Sequence, residues 1–264
     1  MALSVLVTGG TGTLGQRLVP RLTQAGCEVR VLTRSNRADE DGVHHVTGDL
    51  ATGAGLATAV KGAEAVVHCA GGPSGDDALT RTLVRAITEQ KGTPHLVYIS
   101  VVGADRVPVH SAVDRAMFRY FASKLATEAV VAQSGLPWTT LRATQFHDLM
   151  LMVARQLARL PVVPVPTGTS FQPVDTDEVA GRLVELVLAE PTGLVADLAG
   201  PQVRSATDLI KTYLHAIGRR RPLVPVRLPG AAARAVRGGA NLAPDHATGI
   251  RTWEDFLAAH VHRT

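Results

Sequence analysis

The 264 residues predict an α/β protein, a doubly wound parallel sheet with a smaller lobe after it. Three observations carry this. Short apolar runs alternate with helix-like segments over the first 150 residues. Most of those runs are almost continuously apolar, as strands covered on both faces are. A glycine-rich turn stands directly between the first run and the first helix, and right-handed crossovers then wind the sheet in both directions.

LSVLV at 3–7 is the first strand, and the segment from about 13 to 25 is the helix that crosses to EVRVL at 28–32. VHHV at 43–46 is the third strand, 53–61 a short helix and AEAVVHCA at 63–70 the fourth strand. A polar helix over about 76–90 leads to HLVYIS at 95–100. A long helix over about 114–134, stopped by Gly135 and Pro137, leads to WTTLR at 138–142. Beyond 150 the texture changes, with prolines recurring from 161 to 244 and breaking shorter elements. This divides the chain into a sheet domain, 1–150, and a smaller substrate or partner lobe, 151–264, expected to pack on the sheet's C-terminal edge.

Composition excludes several classes of function. With 45% hydrophobic residues, 19% charged and only 2 Cys, the chain can bury a sizeable core without disulfides or structural zinc, and Cys27 and Cys69 lack metal-ligand spacing. MALSVLVTGG has no basic leader and reaches glycine too early for a signal peptide, and no later segment is long and apolar enough for a span. A reducing cytoplasm is therefore the expected location. The net charge of +4 raises nucleic acid as a partner, but the basic residues are interspersed with acids and aromatic residues make up only 4%. The one tight run, Arg219-Arg220-Arg221, reads as a solvated helix end. A small molecule is the expected partner, with no nucleic acid and no membrane.

The chemistry begins at Thr8-Gly9-Gly10-Thr11-Gly12-Thr13-Leu14-Gly15. In this strand–turn–helix setting Gly9 permits the tight turn, Gly12 lets backbone approach a pyrophosphate and Gly15 permits close packing of the helix. Thr11, Thr13 and Leu14 complete a loop whose N–H groups, with the helix N-terminus, favour an anion. This setting is expected to hold the pyrophosphate of a dinucleotide. At the end of the second strand, where an acid would select NAD, the chain reads Thr33-Arg34-Ser35-Asn36-Arg37. Two guanidiniums and a small hydroxyl at Arg34, Ser35 and Arg37 suit a 2′-phosphate, so NADP is expected, with NAD possible. Asp49 and Leu50 after the third strand, and Ala70 and Gly71 after the fourth, fall at strand C-termini and are expected to line the adenine and ribose. His68, inside an apolar run, reads as a core histidine.

VLVTGGTGTLG at 5–15, VRVLTR at 29–34, GDL at 48–50, HLVYISVVGADRVP at 95–108, KLATEAVVAQSGLPWTTLRATQF at 124–146 and FQPVDTDEVA at 171–180 together resemble the atypical short-chain dehydrogenase/reductases, the NmrA-like NAD(P)-binding proteins in particular. The resemblance implies a catalytic group of Ser100, Tyr120 and Lys124, the last two in the spacing Tyr-x-x-x-Lys. Four residues is about one helical turn, so both polar groups share a face while Phe121 and Leu125 can turn to the core. An ammonium beside a tyrosine favours phenolate and brings it toward general acid–base work, with Tyr120 protonating a carbonyl oxygen and Ser100 hydrogen-bonding it. Thr144, Gln145, Phe146 and His147, with Gln172 and Pro173, are expected to border the nicotinamide pocket. The implied activity is NADPH-dependent reduction of a small apolar carbonyl or quinone. The resemblance also admits a regulator that binds NADP(H) without turnover, and a nucleotide-sugar epimerase is disfavoured because no sugar-nucleotide site is evident.

Overall fold

A computed structural model describes residues 2–40, 42–72 and 75–261. The elements run β1 Ser4–Thr8, α1 Gly15–Gln24, β2 Glu28–Thr33, β3 Val43–Thr47, α2 Leu56–Val60, β4 Ala65–His68, α3 Asp76–Glu89, β5 His95–Val101, α4 Ala112–Ala132 and β6 Trp138–Ala143. They continue with α5 His147–Leu157, β7 Val163–Pro166, β8 Ser170–Phe171, α6 Thr176–Leu188, β9 Gly193–Leu194, β10 Arg204–Ser205, α7 Ala206–Ala216, β11 Leu223–Val226, α8 Ala231–Arg237 and α9 Trp253–His260, with a 3₁₀ turn at Pro244–His246. The central sheet has seven strands in the order β3-β2-β1-β4-β5-β6-β9. Pairing is parallel at β2–β3, β1–β2, β1–β4, β4–β5 and β6–β9. The order reverses beside β1, which makes the space beyond the C-terminal ends of β1 and β4 the natural ligand crevice of an open α/β sheet.

The chain forms two compact units, one of Met1–Ser100, Ser123–Leu141 and Asp177–Val195, the other of Val101–Ala122, Arg142–Thr176 and Ala196–Thr264. This differs from the single cut at 150 that the sequence suggests. The reason is that β9 adds to the sheet beside β6, so chain that has already left the sheet returns to it.

In the first unit, Leu6 and Val66 of the sheet and Leu96 and Tyr98 of β5 pack against Leu56 and Ala59 of α2, Leu83 and Ile87 of α3 and Val131 of α4, all buried. Each such large side chain contributes about 1.5–3 kcal/mol by leaving water. The second unit has its own core, in which Met150, Leu151 and Ala154 of α5 meet Leu209, Ile210 and Tyr213 of α7 and Trp253, Phe256 and Leu257 of α9. Two small pairs support it, β7 with β11 in parallel and β8 with β10 antiparallel. Its helices start at identifiable caps. Ser205 accepts from the Asp208 N–H ahead of α7, and Thr252 and Asp255 form a reciprocal capping box ahead of α9. Arg219, Arg220 and Arg221 follow α7 and are exposed, as a solvated helix end requires.

Candidate cofactor and active site

The turn from β1 into α1 is shaped by its glycines. Gly9 has φ +71°, and a Cβ there would lie 2.6 Å from the Ala70 nitrogen, so the turn is pressed against the end of β4. A Cβ at Gly15 would lie 2.3 Å from the Gly9 oxygen and 2.4 Å from the Gly10 Cα, which leaves no room for any side chain where the helix begins. Gly12 differs, since its Cβ would meet only the Gly9 oxygen, at 3.3 Å. Gly12 is exposed between Thr11 and Thr13, also exposed, while Leu14 anchors the helix start in the core. The Gly12 N–H closes the turn onto the Gly9 oxygen at 3.0 Å. The Gln16 N–H donates to the Gly12 oxygen at 2.9 Å and those of Arg17 and Leu18 to the Leu14 oxygen, so the N–H groups a ligand would meet are those of the loop ahead of them. A diphosphate fits this cradle, and a side chain at Gly12 would fill it.

Arg34, Ser35 and Arg37 are exposed in the segment after β2. The Thr33 hydroxyl donates to the Ser35 carbonyl at 2.5 Å and sets the turn. Arg37 lines a cavity of about 450 Å³ together with Gly10, Thr11, Gln16 and His45. One guanidinium and the glycine loop thus share a concavity, whereas Arg34 and Ser35 lie outside its lining. After β3, Asp49 spends Oδ1 on the Ala51 N–H at 2.9 Å, a local turn, and Leu50 is buried beneath it. Ala70 and Gly71 continue from β4. The Ala70 N–H donates to the Thr8 hydroxyl at 3.4 Å, and Gly71 is exposed.

Ser100 and Lys124 are both held by groups that sequence reasoning did not single out. The Ser100 hydroxyl donates to Glu128 Oε1 at 2.5 Å. Lys124, buried, lies with Nζ 3.3 Å from Asp76 Oδ2 and donates to the Ile99 carbonyl at 3.3 Å. Its ammonium also stands 5.0 Å from the centre of the Tyr98 ring. Successive turns of α4 therefore grip the end of β5, Lys124 at Ile99 and Glu128 at Ser100. The position of Glu128, four residues after Lys124, is the one signal that could have found it, because i and i+4 share a helix face. Asp76 opens α3 and carries no comparable signal. Tyr120 stands one turn before Lys124 on α4 and is 39% exposed, its ring edge-on to Phe121 at 6.2 Å between centres. Phe121 packs partly buried beside Val107 and Val236, as expected, but Leu125 is 41% exposed rather than core-facing.

His68 is the core residue the sequence suggests. It is fully buried, with Nδ1 2.7 Å from the Thr8 hydroxyl and Nε2 2.8 Å from that of Thr80. The Thr80 hydroxyl donates to the Asp76 carbonyl at 2.7 Å, so it must accept from His68 Nε2–H, and Nδ1 then accepts from Thr8. Desolvation, with the Lys124 charge second, pushes its pKa down to about 3, so it stays neutral. Burial pushes the Cys69 thiol up to about 12, which removes it as a nucleophile.

In the second unit the residues after β6 divide. Thr144 donates to the Gln172 carbonyl at 2.5 Å, the Gln172 amide bridges the Gly200 oxygen and the Ala243 N–H, and His147 stacks on Trp253 and Phe256. Those three side chains are buried framework rather than pocket lining, because the Thr144 hydroxyl, the Gln172 amide and the His147 ring faces are spent inside the unit. Gln145 differs: its side-chain nitrogen and oxygen are both buried and find no hydrogen-bond partner among the described residues. Among the described residues no cluster of His, Cys, Asp or Glu could hold a metal, and no helix is long and apolar enough to cross a membrane.

Comparison with known proteins agrees with this geometry. The profile of a family described as NAD(P)H-binding matches residues 9–186. The chain is 30% identical over 243 residues to a ceramide reductase of Caulobacter vibrioides, covering 86% of this chain and 74% of that one. It is 27% identical over 220 residues to a (4-alkanoyl-5-oxo-2,5-dihydrofuran-3-yl)methyl phosphate reductase of Streptomyces griseus, covering 81% and 74%. In fold it is similar to the NADPH-dependent quinone oxidoreductase of Escherichia coli crystallised with NADPH, with a TM-score of 0.80, 18% identity and coverage of 97% and 99%.

Proposed function

The chain belongs to the NAD(P)H-binding family of the atypical short-chain dehydrogenase/reductase superfamily, and on that premise we propose that it is an NADPH-dependent reductase of a small, largely apolar carbonyl or quinone. The observation that carries this is the glycine loop, in which only Gly12 is left open while Gly9 and Gly15 are closed by backbone. The names of the curated relatives, both reductases, support the direction of the chemistry.

In this reading Gly9, Thr11, Gly12, Thr13, Leu14 and Gly15 hold the diphosphate, Arg37 with Arg34 and Ser35 takes the 2′-phosphate, and Asp49, Leu50, Ala70 and Gly71 border the adenine and ribose. The dinucleotide supplies hydride when bound. Tyr120 then delivers a proton to the substrate oxygen, and Lys124 stabilises the phenolate that remains. Ser100 has a narrower role than the resemblance implies, because its proton already points to Glu128. It assists the substrate oxygen only after turning away from that carboxylate.

A second reading, a non-catalytic NADP(H)-binding regulator, draws support from the same feature, since Ser100 and Lys124 are engaged with protein groups. One assay separates the two. Purified protein is given NADPH and a panel of quinones and ketones, and absorbance at the reduced-nicotinamide band is followed. Turnover that falls by about 10²–10⁴ in Tyr120→Phe, the range of general acid catalysis, is expected for the reductase. Tight NADPH binding with no turnover on the whole panel refutes it in favour of the regulator.

A further inference from the structure

We propose that Asp76 is the positioning residue of the site: its carboxylate fixes the Lys124 ammonium at the end of β5 and keeps it charged, an assignment that rests on the proton-transfer reading of Lys124. Asp76 is wholly buried, at 0% exposure. Its Oδ1 accepts the Gly72 N–H at 2.7 Å, and its own N–H donates to the Ser123 hydroxyl at 3.4 Å, one residue before Lys124. The start of α3 favours a carboxylate there through the helix dipole. Its Oδ2 accepts no hydrogen bond of good geometry and instead faces the ammonium at 3.3 Å.

The pair lies directly under the backbone that continues β4. A Cβ on Gly71 would come within 2.8 Å of Asp76 Oδ2 and 3.2 Å of Lys124 Nζ. The bare, exposed Gly71 is thus the cover of the ion pair, at the strand end where the ribose is read to lie.

The groups that face Lys124 from other elements are His68 and Cys69 after β4, Asp76 on α3 and Tyr98 on β5, and on α4 itself Tyr120 and Glu128 flank it. His68 is held neutral with a pKa near 3, and burial raises Cys69 and Tyr98 to about 12 each, so neither carries charge near neutrality. Glu128 accepts the Ser100 hydroxyl. Asp76 is therefore a carboxylate that another element brings to the ammonium. A buried pair of this kind is weak support for stability, since an apolar pair of similar volume often serves as well. Its consequence here is electrostatic. Without the carboxylate a desolvated ammonium loses its proton more easily, so the Lys124 charge weakens as pH rises.

The test compares wild type, Asp76→Asn, Lys124→Met and the double variant in NADPH-dependent reduction of a naphthoquinone, from about pH 6 to about pH 9, with folding checked by circular dichroism. In Asp76→Asn, kcat is expected to acquire a basic limb whose fall approaches roughly tenfold per unit once past the lowered lysine pKa, while wild type stays within about threefold. The double variant is expected to match Lys124→Met, because Asp76 has nothing left to position. A profile for Asp76→Asn parallel to wild type overturns the proposal. So does a double variant about tenfold slower than Lys124→Met, a comparison that holds even if the single asparagine variant does not fold. An inactive wild type, by contrast, overturns the reductase reading itself and this assignment with it.

Discussion

Alanine at Gly12 and alanine at Gly15 should have opposite effects, and the contrast tests the whole assignment of the loop. At Gly12 the added methyl meets a single atom, the Gly9 oxygen at 3.3 Å, and the backbone lies outside the left-handed region. The small crowding is offset by about 0.4–1 kcal/mol from the reduced freedom of the unfolded chain, so stability should change by less than about 1 kcal/mol. The same methyl stands where the diphosphate must approach. Losing or lengthening two charge-assisted hydrogen bonds costs about 3 kcal/mol or more, a weakening of NADPH binding by roughly two decades. At Gly15 the methyl would lie 2.3 Å from a backbone oxygen and 2.4 Å from a backbone carbon, neither of which can swing aside. Forcing α1 away should cost about 3 kcal/mol, or roughly 6–12 °C in melting temperature for a chain of this size. Calorimetric titration with NADPH and thermal unfolding of both variants decide the matter. A stable Gly12→Ala protein that binds NADPH as tightly as wild type would refute the idea that this backbone holds the diphosphate.

Two further outcomes are expected. Arg37→Ala should weaken NADPH binding roughly tenfold or more while leaving NADH nearly unchanged, with Arg34→Ala showing a smaller loss of the same kind because it lies outside the shared cavity; equal losses for both dinucleotides would remove the 2′-phosphate from this segment. His68, with its folded pKa near 3 against 6.5 for the unfolded chain, binds fewer protons when folded, so its contribution is complete above about pH 6.5 and is lost as pH falls toward 3. The slope approaches about 1.4 kcal/mol per pH unit, which integrates to about 1.6 kcal/mol between pH 6.5 and 5, before most carboxylates titrate. Urea unfolding at those two pH values should show that loss, and His68→Gln should remove it; an unchanged slope in the variant would place the titration elsewhere.

The elements of the first 143 residues were legible because each rests on local information. Near-continuous apolar runs sit at β1, β4 and β5, a helix stop at Gly135 and Pro137 follows α4, and the glycine loop stands at the one turn that needs it. The ends agree with the structure to within two or three residues. What sequence could not give is the use to which polar atoms are put. Thr144, His147 and Gln172 follow strand ends, as ligand-contacting residues do, but only the tertiary fold reveals that their hydroxyl, ring and amide are spent on Gln172, Trp253 and Gly200. Asp76 and Lys124 are brought together by packing of α3 and α4 on one face of the sheet, a long-range match that no spacing announces. The return of β9 to the sheet was hidden for the same reason, since a two-residue strand has almost no pattern of its own.

The stack of His147, Trp253, Phe256 and His260 ties α5 to α9, and Met150 shares a core with Leu257. That core cannot close until the ribosome has made both ends of it. At about 5–20 residues per second, α5 waits roughly 5–20 s for α9 to emerge. During that interval only α7 is on hand to cover its greasy side, so chaperone demand in the cell should be concentrated there, and slower translation between α7 and Trp253 should lower the yield of properly folded product.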